Sequence, residues 1–259
     1  MASDRELTAV HDADVELRDG RRLTFSAAGD PRGYPVYYLH GAIGSPRWRT
    51  PALDALIADL GLRYLIVNRP GFAGSDPSPG RTVADFARDV EDVADNLGHR
   101  WFSVVGVSAG APYALACAWA LPERVTAIAA ASPMAPPSGP GASPRLRYGI
   151  PRLAFGAPGL GALIAEAGLR TMRMRRSTAP RAMIEDYEVC RRPWGFDPSE
   201  VPGAVNLWHG RRDVLVPVAH ALRLAQAIPA CATFLEPGGG HFFFSRRLAE
   251  IIAPLAGRR

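Results

Sequence analysis

Residues 101–112 read WFSVVGVSAGAP: an apolar run, Trp101–Val107, leads straight into Ser108, and a helical pattern, Ala109–Leu121, begins at once. The run has the length and β-branched content of a buried strand. Pro112 falls in the first turn of the helix, where a missing N–H costs little. Between strand and helix stands Gly106-Val107-Ser108-Ala109-Gly110, a G-x-S-x-G pattern. A serine on such a junction sits on a sharp, strained turn that lifts its hydroxyl above the sheet edge, and side chains at the two flanking positions would collide with neighbouring backbone. The N–H of Ala109, at the start of the helix, has no intrahelical partner and faces the same space, where negative charge is favoured.

Outward from this junction the chain keeps one rhythm. Upstream, Ala13–Asp19 and Arg21–Ala27 flank the turn pair Asp19-Gly20 and read as an antiparallel hairpin. Strands follow at Val36–Leu39 and Arg63–Asn68. Between them lies a helix, Pro51–Leu60, stopped by Gly61. A second helix, Thr82–Leu97, has Thr82 and Asp85 placed as a capping pair. Downstream come a strand at Val125–Ala131, then a break, then Val205–Trp208, a helix at Val218–Ile228, a short strand at Thr233–Leu235 and a closing helix at Arg246–Leu255. Alternating short strands and amphipathic helices predict an α/β fold with a mostly parallel sheet of eight strands, helices on both faces. The break, residues 133–202, contains prolines at its entry and helical patterns at Leu160–Met174 and Pro180–Arg191. It reads as a helical cap inserted after the sixth strand, with residues 1–132 and 203–259 forming the core.

Two further residues fall on the rim that Ser108 occupies. Asp213 lies in Trp208–Asp213, a loop after a strand, and His241 follows Gly238-Gly239-Gly240 and precedes Phe242-Phe243-Phe244. Loops at the carboxyl ends of strands in open α/β sheets gather functional groups on one edge. A bland alternative pairs Asp213 with Arg211 or Arg212 on the surface. The order serine, aspartate, histidine separates this arrangement from other hydrolytic triads. Ser108 is expected as nucleophile, His241 as base and Asp213 as the group that orients it. An oxyanion intermediate needs two donors. Ala109 N–H supplies one, and Ala42 N–H, in the loop His40–Ser45, is expected to supply the other. His40 and His209, each before a glycine at a strand end, are expected to support loops.

These segments resemble the α/β-hydrolase superfamily, in particular its compact, capped lipase- and esterase-like branch. HGAIGS at residues 40–45 is similar to the family's oxyanion loop, NRPGFAGSDP at 68–77 to its D-R-x-G-x-G-x-S turn, and GVSAG to its elbow. WHGRRDVLVP and GGGHF are similar to its acid and histidine segments. Asn68 stands where the family usually has Asp, and Ala73 where it often has Gly. The resemblance implies an α/β-hydrolase fold and a serine hydrolase acting on a carboxylic ester or related acyl bond of a small, largely apolar substrate. It disfavours epoxide hydrolases and haloalkane dehalogenases, whose nucleophile is a carboxylate. Other reactions on the same triad stay open: proline iminopeptidase-like, C–C bond hydrolysis, acyl transfer, cofactor-free haloperoxidation, or a receptor on a hydrolase scaffold. Trp48, Met134 and Phe242 are candidates to line the substrate pocket, each also readable as plain core.

Composition narrows the rest. The chain of 259 residues is 47% hydrophobic and 21% charged, ordinary for one globular enzyme. All 30 basic residues are Arg and the net charge is +5. No nucleic-acid module accompanies that charge, so none is expected as partner. Cys117, Cys190 and Cys231 are far apart, which predicts neither a disulfide framework nor a metal site. The absence of Lys excludes a phosphate loop of the G-x-x-x-x-G-K type, and no cofactor is expected. No apolar run marks the first twenty residues or reaches membrane-spanning length, so a cytoplasmic protein is expected. The stretch Arg145–Arg192 carries ten Arg against Glu166, Glu185, Asp186 and Glu188. It reads as solvated helix surface, or alternatively as a basic lid for anionic substrates.

Overall fold

The computed structural model describes residues 11–42, 50–137 and 180–257. Eight strands, β1 (His11–Glu16), β2 (Arg22–Gly29), β3 (Tyr34–Leu39), β4 (Leu62–Val67), β5 (Phe102–Val107), β6 (Val125–Ala131), β7 (Val205–Gly210) and β8 (Cys231–Glu236), form one sheet in the order β1-β2-β4-β3-β5-β6-β7-β8. The hairpin β1–β2 joins antiparallel to β4, and from β4 onward every neighbour is parallel. The helices are α1 (Pro51–Asp59), α2 (Phe86–Asn96), α3 (Ala111–Ala120), α4 (Pro180–Cys190), α5 (Ala219–Ala227) and α6 (Leu248–Ile252).

The central strands are buried on both faces, as parallel strands covered by helices must be. Alternate residues of β3 and β4 divide between two cores. Tyr37, Leu39, Leu65 and Val67 face α2 and α3, packing with Phe86, Val90 and Tyr113. Val36, Tyr38, Tyr64 and Ile66 face the other side, packing with Leu53 and Ile57 of α1 and Ile251 and Ile252 of α6.

Element ends follow local chemistry. Thr50 caps α1, its hydroxyl accepting from Leu53 N–H at 3.2 Å, and Pro51 occupies the first turn. Thr82 and Asp85 form the expected reciprocal pair at 2.8 and 3.3 Å, but regular helix begins only at Phe86 because residues 83–85 are a turn. The closing helix is shorter than its pattern. Pro254 has no N–H to donate, and the last turn, 253–255, tightens to a 3-10 form. Between β6 and β7 the described residues contain no strand; α4 returns the chain to the sheet. The helical pattern at Leu160–Met174 lies outside the described residues. Among the described residues, no helix is long and apolar enough to cross a membrane.

Candidate active site

The elbow has the geometry its sequence demands. Val107 is extended (φ −121°, ψ 131°), and Ser108 turns to φ 55°, a left-handed conformation that costs a non-glycine residue ~1–2 kcal/mol. A 3-10 turn, Ser108–Gly110, then feeds α3. A methyl group at Gly110 would stand 2.0 Å from the carbonyl oxygen of Leu39, so the elbow and the end of β3 touch backbone to backbone. The loop after β3 is thereby drawn across the serine: a Cβ on Gly41 would lie 3.3 Å from that of Ser108.

The structure brings Ser108, His241 and Asp213 together. His241 Nε2 lies 3.0 Å from Ser108 Oγ, and His241 Nδ1 lies 2.7 Å from Asp213 Oδ2. The other Asp213 oxygen accepts from the N–H groups of Leu215 and Val216, both at 2.9 Å. Burial alone would raise the Asp213 carboxyl. The hydrogen bond and charge of His241 outweigh it, with help from Val216 and His209, and hold the carboxyl below its ordinary value. Neither Arg211 nor Arg212 pairs with it; its ionic neighbours among the described residues are His241 and, at 3.5 Å, His209. His209 Nε2 also donates to Val216 O at 2.9 Å, bracing the Asp213 loop. The histidine's own backbone is held by Ser132, whose hydroxyl donates to His241 O at 2.9 Å.

Ala109 is fully buried, and Ala42 is half-buried beside Gly41. Phe242 is 38% exposed with its ring 5.0 Å from that of His241. Met134, 3% exposed, packs in the apolar core. Trp48 lies outside the described residues, as do residues 43–45 of the loop that begins at His40.

Behind the loop after β3 lies a polar cluster that the sequence reading missed. Asp186 in α4 and Arg69, just after β4, both have no side-chain exposure. Asp186 Oδ1 accepts from Arg69 Nε at 3.0 Å, Tyr113 Oη at 2.8 Å and Arg81 Nη2 at 3.4 Å; Oδ2 accepts from Arg69 Nη2 at 2.8 Å. The Arg69 guanidinium also donates to His40 O and, at 3.3 Å, to Gly41 O. It lies over the rings of Tyr113 and Phe72 at 4.9 and 5.4 Å. Burial opposes both charges, but Arg69 and Asp186 outweigh it for one another: the carboxyl is held below its ordinary value and the guanidinium above.

Asp186 therefore corrects the expectation of a solvated helix surface, since it lies on the buried face of α4 with Ala182, Val189 and Cys190. That spacing was the available signal, a carboxylate inside an apolar helical stripe. His40 bears out its expected role, with Nε2 accepting from Arg69 N–H at 3.4 Å and Nδ1 donating to Gly41 O at 2.8 Å.

A neutral imidazole between a hydroxyl and an ionised carboxylate can take a proton from the one and be stabilised as a cation by the other. Among the described residues no group of His, Cys, Asp and Glu could hold a metal ion.

Comparison with known proteins agrees on the scaffold. A proline iminopeptidase of Neisseria gonorrhoeae is 28% identical over 121 residues, covering 46% of this chain and 38% of that protein. The chain thus matches less than two thirds of the length of that relative. Among solved structures, a hydrolase from Pseudomonas aeruginosa PA01 superposes with a TM-score of 0.74 at 17% identity, covering 97% of this chain and all (100%) of the other. The esterase RhEst1 from Rhodococcus sp. ECU1013 gives 0.72 at 20% identity, covering 96% and 98%. Both structural likenesses concern the fold. With residues 34–182 matching the family described as alpha/beta hydrolase fold, and the sheet, elbow and strand order in agreement, this chain belongs to the α/β-hydrolase family.

Proposed function

We propose that this chain is a serine hydrolase that cleaves a carboxylic ester or related acyl bond of a small, largely apolar substrate. The observation that carries the reading is the unbroken hydrogen-bonded chain from Ser108 Oγ through the His241 ring to Asp213. Ser108 attacks the substrate carbonyl as His241 Nε2 takes its proton, and Asp213 holds the ring in the tautomer that leaves Nε2 free to accept. The tetrahedral oxyanion sits between the N–H groups of Ala42 and Ala109. His241 then protonates the leaving group, and water repeats the sequence on the acyl-enzyme. Phe242 forms part of the apolar wall beside the imidazole. Residues 133–202 act as the cap over a core of 1–132 and 203–259.

Proline iminopeptidase-like action, after the name of the Neisseria relative, is the alternative on the same triad, and a peptide substrate of that kind would bring a charged amine to the site. Asp213 and Asp186, the two buried acids tied to this site, are already engaged by histidines, arginines, a phenol and backbone N–H groups. A substrate amine would therefore have to be met by groups other than these two.

The test is turnover on p-nitrophenyl esters of rising acyl length, with proline p-nitroanilide in the same panel. Esters are expected to be cleaved faster than the anilide, and Ser108→Ala to lower kcat by ~10⁴–10⁶. Wild-type turnover in Ser108→Ala would refute the assignment. Preference for the anilide would move the substrate class to peptides and leave the serine in place.

A further inference from the structure

The two proposed oxyanion donors are aimed by different means, and the difference assigns a role to the buried ion pair. In a trans peptide unit the C=O and N–H point in opposite directions, so a grip on the carbonyl fixes where the N–H of the next residue points. Ala109 N–H belongs to the unit whose carbonyl is that of Ser108, and Ser108 O accepts from Ala111 N–H inside the 3-10 turn. This donor is aimed locally.

Ala42 N–H belongs to the unit whose carbonyl is that of Gly41. Gly41 O receives two donors, His40 Nδ1 at 2.8 Å and Arg69 Nη2 at 3.3 Å. The preceding carbonyl, His40 O, is held by the same guanidinium. No repeating helix or strand bond constrains this unit. Its orientation depends on a guanidinium that stays in place because Asp186, 117 residues away in the chain, takes its Nε and Nη2. Asp186 is in turn held by Tyr113 of α3, two residues into the helix that starts at the elbow.

We propose that Arg69, anchored on Asp186, is a positioning residue that turns the Gly41 carbonyl inward and so aims the Ala42 N–H at the developing oxyanion. The proposal rests on the hydrolase reading above. It makes α4, at the end of the insertion, part of the device that sets transition-state stabilisation. A planar guanidinium suits the task because it can hold a carboxylate side-on while its remaining N–H groups reach two carbonyls; an ammonium group cannot do both.

The experiment separates positioning from mere support. Arg69→Met, Arg81→Met and Asp186→Leu are combined in one full-length protein, removing every charge of the cluster so that none is left buried alone. Thermal melting reports the fold, active-site titration counts reactive serines, and p-nitrophenyl acetate gives kcat and KM. Phenylboronic acid, which forms a tetrahedral anionic adduct on a serine hydroxyl, reports oxyanion binding. The expected result is kcat per titrated serine reduced ~10²-fold, the size of losing one oxyanion donor, with KM within about threefold and boronate affinity falling in parallel. A folded triple variant with kcat and boronate affinity within about threefold of wild type would overturn the proposal.

Should the triple variant not fold, Tyr113→Phe decides. It keeps the core ring and removes only one hydrogen bond from Asp186. A severalfold weaker boronate supports the proposal, and unchanged affinity overturns it. Ser108→Ala run alongside tells the two claims apart: persistent turnover there sinks the hydrolase reading, whereas its loss with an active triple variant sinks only the positioning role.

Discussion

Asp213 and Asp186 are both carboxylates without side-chain exposure, both held below their ordinary pKa, and both engaged on two oxygens, yet they sit in opposite kinds of surroundings. Asp213 spends one oxygen on backbone N–H groups and offers the other to an imidazole, a ring that can gain and lose a proton. Asp186 spends both on guanidinium groups and a phenol, and the Arg69 guanidinium and the Tyr113 phenol both hold their protons more tightly than usual. Burial and a lowered pKa are thus no mark of a proton-transfer role. What distinguishes the two regions is whether the partner can titrate.

The largest expected effect tests that distinction on turnover. Asp213→Asn keeps the shape but favours the wrong tautomer of His241, and kcat should fall by ~10³–10⁴ on p-nitrophenyl acetate. Asp186→Asn, counted per titrated serine, should lose less. Equal losses would erase the contrast.

Stability should rank them the other way. Asp186→Asn leaves Arg69 buried with its main counter-charge gone and should cost about 3–5 kcal/mol in urea unfolding. Asp213→Asn, whose partners are an imidazole and two amides, should cost less. A reversal of that order would show that the Arg69–Asp186 ion pair matters less to the fold than the Asp213 contacts do.

Acid sharpens the comparison further. Burial, reinforced by Arg69, pushes His40 down to about 3; burial, with nearby arginines, pushes His99 and His220 down to about 4. These rings stay neutral in the folded protein at pH 5 but take up protons when unfolded, so each lowers stability as pH falls from about 6.5 toward its folded value, by up to ~1.4 kcal/mol per pH unit. The two aspartates contribute in the opposite range. Their advantage is complete above the unfolded carboxyl value and fades only as pH drops through their lowered ones. Urea midpoints should therefore begin to fall between pH 7 and 5, and His99→Gln should flatten that slope. A midpoint constant down to pH 4.5 would mean that the histidines are not the first groups to yield.

The smallest effect lies within the cluster. Arg81 reaches Asp186 at 3.4 Å, longer than either Arg69 contact, and Arg81→Gln should cost only about 1 kcal/mol, below the usual range for a hydrogen bond to a charged group. A loss as large as that of Asp186→Asn would make Arg81 the true anchor.

The candidate rim was legible because each member announces itself locally. Ser108 stands on a strand-to-helix junction between glycines, and Asp213 and His241 follow strands in a fixed order. The sheet was legible for the same reason, since strand runs and helix periods are read within a dozen residues. The buried cluster was not, because Asp186 meets Arg69, Arg81 and Tyr113 across separations of 117, 105 and 73 residues. Arg69 was visible only as part of a turn motif. The two departures in that motif differ in fit, since the Asn68 Oδ1 is buried without a hydrogen-bond partner among the described residues. Asn68 donates to Thr24 Oγ1 at 2.8 Å, and Ala73 adopts φ 47°, the left-handed conformation a glycine would take more easily. Where β7 and β8 end, the reading stopped short of the strands' last residues, because parallel pairing continues to Gly210 and Glu236.

That pairing does more than lengthen two strands. Beyond it, Arg211 N–H reaches Glu236 O and Arg212 N–H reaches Gly239 O, both at 2.9 Å, and a methyl group on Gly210 would fall 2.3 Å from Gly239 O. The loop that bears the acid and the loop that bears the imidazole are in effect one moulded piece. Anyone transplanting either loop from a cousin enzyme would have to graft its companion as well, just as the serine's elbow, on the far side of β6, could travel only with the end of β3 that it touches at Gly110.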